Sequence, residues 1–434
     1  MRGIPRKALK EFKQNSGLLQ DPEILEKNLI PMSFEIKKRV YLFCIFVFFI
    51  SGCASTRHAA PPDLLNNVRI FGMQDIRAFS GSPSDPFKKD FIRLLEQEEK
   101  ESPSFFNFKT SRAYSMLAIS GGAANGAYGA GLLSGWSQSG TRPVFKVVTG
   151  ISTGAIIAPF AFLGSKYDDR LKEFYTRYST KDIVRIRVPV INSFASTRPL
   201  ERLIERYFDA KLLKEIALEY NKGRRLYVGT TNLDAQRLVI WDMGKIASVG
   251  DDKALKLFRK VILASASIPI AFPPVYLSVE VDDKMYDEMH VDGGISKQVF
   301  FLYDVLQGFD KALKEKGIDV AVNKYAIYII RNGYVEPIYR EVSDKLSAIA
   351  ERTVDTMANA QGIGDLYQLY FFAQGGKGDF NLAYIPATHV SKAKELFDPI
   401  EMQALFDLGF KEASQGYPWR KSPPGLGEGQ RGGK

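Results

Sequence analysis

The stretch VVTGISTGA, Val147 to Ala155, decides how the rest of the chain is read. A short apolar run, Phe145 to Val148, breaks at Gly150-Ile151-Ser152-Thr153-Gly154 and resumes as a second apolar run, Ala155 to Leu163. Apolar strand, glycine-flanked turn and apolar helix together form the local shape that holds a serine on a sharp elbow. The helix starting behind Ser152 would also bring a positive dipole end toward any anion that forms there. A serine hydroxyl needs a base to accept its proton, yet the chain holds only three histidines, His58, His290 and His389.

Outward from this turn, strand-like and helix-like segments alternate. Tyr114 to Ile119 is a predicted strand, Ala127 to Trp136 a small-residue helix, Phe145 to Val148 a strand and Ala155 to Leu163 a helix. Residues 198–220 read as mainly helical, with Leu200, Leu203, Ile204, Tyr207 and Phe208 on one side. Strands are expected at Leu226 to Thr231, Leu238 to Trp241, Val275 to Val281, Met285 to Val291 and Tyr325 to Ile330, the third and fourth pairing as neighbours. Helices are expected at Pro86 to Glu101, Ala254 to Ala266 and Ser343 to Ala360. Short apolar strands separated by helices predict an α/β fold, a mainly parallel central sheet covered on both faces in three layers, α/β/α.

Two further glycine turns follow predicted strands, at the strand ends where α/β proteins carry their sites. The first is Ser120-Gly121-Gly122-Ala123-Ala124-Asn125-Gly126, whose backbone N–H groups are free to face an anion. It has neither the Gly-Lys-Ser/Thr of a P-loop nor the G-x-G-x-x-G spacing of a dinucleotide site, because position 123 is alanine. The second is His290-Val291-Asp292-Gly293-Gly294, where a tight turn alone would account for Asp-Gly.

Taken in order, the three motifs resemble the patatin-like phospholipase family: a glycine-rich loop, G-x-S-x-G with Gly150 and Gly154 about the serine, then Asp-Gly-Ala/Gly. Ala264-Ser265-Ala266-Ser267-Ile268-Pro269, followed by Phe272-Pro273-Pro274, looks like that family's stretch before the aspartate. The resemblance covers roughly Tyr114 to Ser296. It implies a patatin-like fold and a Ser-Asp dyad, with Ser152 as nucleophile and Asp292 as the base. It implies an oxyanion hole from the N–H groups of Gly121, Gly122 and Ala123, with Gly126, Gly293 and Gly294 completing the motifs, and neither metal nor other cofactor. Ala123 replaces a glycine of the family pattern, and Asn125 replaces its usual Arg or Lys. An alanine at position 123 is expected to require a negative φ. The alternatives are a histidine-dependent esterase using His290 or His389, and a catalytically weak lipoprotein that binds lipid or a partner.

An ordinary carboxylate, with a pKa of about 3.9, is a poor base for an alcohol. Burial raises it, and the proton need only move as the serine attacks.

The N-terminal region reads as a processing signal. Lys37-Lys38-Arg39 precede the apolar run Val40 to Ile50 and then Ser51-Gly52-Cys53. Eleven apolar residues are short for a bilayer span, which takes about 20. Ile50-Ser51-Gly52-Cys53 resembles the lipobox of bacterial lipoproteins, implying cleavage before Cys53 and acylation of that cysteine. Ala54 rather than Asp at the next position resembles outer-membrane sorting. Met32 is read as the true start of this signal. The two cysteines, Cys44 and Cys53, make no disulfide framework or zinc pattern.

Residues 1–52 hold nine of the 59 Lys/Arg and five of the 49 Asp/Glu, so the remainder carries a net charge of +6. No block of five like charges occurs, which argues against nucleic-acid binding. The expected layout is a signal region at 1–52, a tether and ancillary helix at 53–112 and a catalytic core at 113–310. A strand and helices at 311–415 complete the same domain, and a Gly/Pro-rich tail at 416–434 is expected to be disordered. The expected substrates are membrane lipids, and the expected location is the bacterial cell envelope. Phe300-Phe301-Leu302 and Leu369-Tyr370-Phe371-Phe372 are read as core segments, with an acyl pocket as the alternative.

Overall fold

Continuous apolar runs, whose successive side chains point to opposite faces, dictate a sheet buried on both faces. In Tyr114–Ile119, Leu117 and Ile119 join one buried cluster while Ala118 joins another. Arg225–Asn232 repeats the pattern, with Leu226 and Val228 in the first cluster and Tyr227 in the second. Both faces therefore need helices, and the three-layer α/β/α arrangement follows.

The structure, a computed structural model, describes residues 57–101, 114–190, 193–269, 271–303, 305–306, 325–376 and 378–426. Its strands are β1 (Arg77–Phe79), β2 (Tyr114–Ile119), β3 (Val147–Ile151), β4 (Arg185–Val190), β5 (Ser193–Ser196) and β6 (Arg225–Asn232). Then come β7 (Arg237–Asp242), β8 (Val275–Val281), β9 (Lys284–Asp292), β10 (Tyr325–Arg331) and β11 (Asp379–Tyr384). The main helices are α1 (Asp85–Glu101), α2 (Gly126–Gln138), α3 (Thr153–Leu163), α4 (Arg198–Tyr207), α5 (Ala210–Asn221), α6 (Asp252–Ser265), α7 (Leu346–Gly375) and α8 (Pro399–Ser414).

Nine strands form one sheet in the order β1-β7-β6-β3-β2-β10-β11, with β9 on β6 and β8 on β9. The run β11-β10-β2-β3-β6 is parallel, while β7, β1, β9 and β8 join antiparallel. β4 and β5 form a separate two-stranded sheet. Helices α2, α3, α6 and α8 contribute to the first cluster, and α1, α7 and Val299–Leu302 to the second.

The register on β6 positions the site. Ile151, the last residue of β3, pairs with Gly229, and Asp292, the last residue of β9, pairs with Thr230 on the next position of the same strand. The ends of two strands far apart in sequence thus meet side by side on one template.

Two expectations are corrected. The residues read as a tether supply an edge strand, β1, which pairs with β7. Residues 198–220 are mainly helical, as expected, in two helices, α4 and α5, with Asp209 capping the second through Leu212 N–H at 2.8 Å. The described part of the tail, residues 416–426, is packed rather than disordered. Trp419 packs at a tilt against Trp136, Arg420 pairs through its backbone with Leu382, and the Tyr417 hydroxyl meets that of Tyr128 at 3.1 Å. Aromatic anchors outweigh the glycine and proline content there. Phe300, Phe301, Leu302 and Leu369 are core residues, and Phe371 is exposed. The signal region, Cys53 and residues 427–434 lie outside the described residues.

Candidate active site

Ser152 occupies the turn between β3 and α3 with φ 55° and ψ −122°. A non-glycine residue in this region is strained by about 1–3 kcal/mol, and strain of that kind is held only where the surroundings over-determine it. Here the determinants are visible. A Cβ on Gly154 would lie 2.3 Å from the Ile119 carbonyl, so only glycine lets α3 start this close to β2. The Ser152 N–H donates to Ser265 Oγ at 2.9 Å, and that hydroxyl donates to the Gly229 carbonyl at 2.7 Å. Ser265 thus ties the elbow to β6. It belongs to the Ala264-to-Pro269 stretch, whose next serine also acts here: the Ser267 carbonyl accepts the Asp292 N–H at 2.9 Å.

The fold brings Ser152 and Asp292 together at the ends of β3 and β9. The Ser152 hydroxyl lies beside the Asp292 carboxylate, and Gly294 N–H donates to Asp292 Oδ1 at 2.7 Å. Both residues are nearly sealed from solvent, at 6% and 4% exposure. Burial pushes the Asp292 carboxyl up to about 7, against the lowering effect of the neighbouring Ser152 hydroxyl and Gly294 N–H. A carboxylate poised there is matched to accept a proton near neutral pH.

The glycine-rich loop lies directly over the nucleophile, since a Cβ on Gly121 would stand 3.2 Å from that of Ser152. Its order comes from the end of β10. Asn332 N–H donates to Ser120 Oγ at 2.8 Å, and Asn332 Nδ2 donates to the Ser120 carbonyl at 3.0 Å. A Cβ on Gly122 would fall 2.0 Å from the Asn332 carbonyl, which excludes any other residue.

Two expectations about this loop are corrected. The Gly121 N–H donates to the Gln298 carbonyl at 3.1 Å, so it is engaged in holding the loop and does not face an oxyanion. Gly122 and Ala123 remain as candidate donors. Ala123, expected to need a negative φ, has φ 49°. The turn forces a positive φ on it, so the site holds two strained non-glycine residues, Ser152 and Ala123.

Residues that sequence reasoning missed complete the surroundings. Gln298 donates through Nε2 to the Gly294 carbonyl at 2.8 Å, while its own carbonyl takes the Gly121 N–H. Arg331 donates to Gln298 Oε1 at 3.2 Å and to Ser120 Oγ at 3.4 Å. The available signal for Arg331 was a cation closing an otherwise apolar strand, Tyr325 to Ile330. Burial lowers its guanidinium to about 10, still charged at neutral pH.

Of the two alternative histidines, His290 has both ring nitrogens engaged. His290 donates through Nε2 to Glu288 at 3.1 Å and accepts through Nδ1 from Thr230 Oγ1 at 2.9 Å. Thr230 in turn accepts Trp241 Nε1–H at 2.8 Å, and Glu288 is locked in a two-pronged pair with Arg77. His389 is hydrogen-bonded to Glu401 of α8 at 2.8 Å. His58 lies against β9, its Nδ1 3.1 Å from the Met285 carbonyl.

An open cavity of about 690 Å³ begins at the residues that follow the Asp292 turn, with Ile295, Ser296, Lys297, Leu233, Leu238 and Tyr303 among its lining.

A family profile described as patatin-like phospholipase matches residues 117–303. Among solved structures, the chain is similar to the crystal structure of VipD from Legionella pneumophila at 13% identity, covering 68% of this chain and 67% of that one with a TM-score of 0.28. No curated protein matches.

Proposed function

From the premise that this chain carries a patatin-like phospholipase domain at residues 117–303, a class of lipid acyl hydrolases, we propose that it cleaves acyl esters of membrane lipids through Ser152 and Asp292. The observation that carries this reading is the pairing of a serine held at φ 55° with a buried carboxylate pushed up to about 7.

Ser152 Oγ attacks the ester carbonyl as its proton passes to Asp292. The carbonyl oxygen becomes an oxyanion facing the N–H groups of Gly122 and Ala123, where each well-placed donor is worth about 3–4 kcal/mol. Collapse of this intermediate breaks the acyl C–O bond, and the departing lipid alkoxide takes the proton back from Asp292. Water then attacks the acyl-enzyme with Asp292 again as base, releasing the fatty acid and restoring Ser152.

Acylation of Cys53 would tether the mature protein to the bacterial outer membrane. A tether of this kind raises the effective concentration of enzyme at its lipid without any new contact.

The test is to incubate the purified mature protein with mixed phospholipids and measure released fatty acid beside labelling by a fluorophosphonate. Ser152-dependent release and labelling are expected. Folded protein that shows neither sinks the reading, and a mass for the mature N-terminus that lacks acyl chains sinks the tether.

A further inference from the structure

Arg331 is 6% exposed, yet no carboxylate among the described residues lies within ion-pair distance of it, and its Nε has no hydrogen-bond partner. Burying a charge without such a partner is costly, so a retained one calls for a reason. Its surroundings supply that reason. The guanidinium is held against Ser120 Oγ at the base of the glycine loop and against Gln298 Oε1. Because Arg331 donates to Oε1, the Gln298 amide has only one useful orientation, with Nε2 toward the Gly294 carbonyl. The Gln298 backbone carbonyl meanwhile holds Gly121. One glutamine therefore spans the loop over Ser152 and the turn carrying Asp292, and Arg331 sets it. Residues 120–126 themselves contain no cation.

We infer that Arg331 is a positioning residue for the ester hydrolysis, orienting Gln298 between the two loops and laying a fixed positive charge behind the N–H groups that face the oxyanion. The inference rests on the Ser152–Asp292 reading. Asp365 carries the opposite charge in the same place. Its carboxylate accepts the Gln298 N–H at 2.7 Å and the Val299 N–H at 3.3 Å, it lies 3.6 Å from Lys297, and it is electrostatically coupled to Arg331. Removing one charge or the other must move the stability of an oxyanion in opposite directions.

The experiment uses the full mature chain, a soluble p-nitrophenyl ester and two inhibitors. An alkyl trifluoromethyl ketone adds the serine hydroxyl to give a hemiketal oxyanion, and the matching methyl ketone stays a neutral carbonyl. Arg331→Met is expected to lower kcat about 10- to 100-fold with KM little changed, and to weaken the trifluoromethyl ketone in parallel. The methyl ketone should bind as before. Asp365→Asn, which keeps an acceptor for the two N–H groups, should tighten the trifluoromethyl ketone about two- to fivefold.

A merely structural role predicts that both inhibitors weaken together and that Asp365→Asn also weakens binding; either result overturns the inference, as does unchanged kcat in Arg331→Met. If Arg331→Met does not fold, the sign of the Asp365→Asn change decides alone. Wild-type protein with no Ser152-dependent turnover removes the hydrolase reading and this inference with it, whereas active wild type with the wrong pattern removes only the inference.

Discussion

Asp292 and His290 stand two residues apart on β9, both buried, both titratable and both close to β6. By residue type alone, the histidine is the better base near neutral pH. The hydrogen bonds reverse that ranking. His290 has one nitrogen on Glu288 and the other on Thr230, and burial lowers its pKa further, so it is a neutral strut with no free lone pair. Asp292 has a backbone N–H on one oxygen and the Ser152 hydroxyl beside it, and burial lifts it to about 7. What a titratable group can do is set by which of its lone pairs are still free.

The comparison breaks most sharply at Asp292. Asp292→Asn should lower kcat/KM about 10³- to 10⁴-fold, as loss of a proton acceptor does in related chemistry. The same variant should be more stable. Because the folded protein holds a proton that the unfolded chain releases between about pH 4 and 7, Asp292 costs stability as pH rises through that window. The asparagine variant should regain about 1–3 kcal/mol at pH 8, seen as a higher Tm. An inactive variant that is also less stable would mean that Asp292 is structural.

The pH profile comes next in size. If Asp292 must be deprotonated to act, kcat/KM should be level above about pH 7 and fall about tenfold per pH unit below it, roughly 100-fold by pH 5. A profile still level at pH 5 would place the base elsewhere.

The smallest effect on activity is expected at His290. His290→Ala should destabilise the fold by about 2–4 kcal/mol, by opening a cavity and leaving Glu288 and Thr230 short of partners. Its kcat/KM should stay within about threefold of wild type at a temperature where it is folded. A folded His290→Ala with activity lost would make His290 part of the chemistry.

The parts of this site that were legible in the sequence are those where geometry restricts the residue type. Gly154 must be glycine because the Ile119 carbonyl is 2.3 Å from where its Cβ would be, and such positions leave a pattern. The parallel strands were legible for a similar reason, since burial on both faces demands continuous apolar runs. β11 and α8 escaped because Asp379–Tyr384 mixes Asp and Asn into its run, and Pro399–Ser414 carries only a partial apolar stripe. Gln298 and Arg331 escaped because neither belongs to a motif; the pairing of β10 with β2 brings Arg331 to Ser120. The engagement of the Gly121 N–H and the positive φ of Ala123 are properties of a loop's closure, which no residue type announces.

The central claim is that a carboxylate, with no histidine, activates Ser152. Its most direct test is the rate of Ser152 labelling by a fluorophosphonate across pH 5 to 9, in wild type and in a His290→Gln, His389→Gln double variant. Labelling that titrates near pH 7 in both proteins, and is lost in Asp292→Asn, is the predicted result. Labelling lost in the folded histidine variant, or retained in Asp292→Asn, would contradict it.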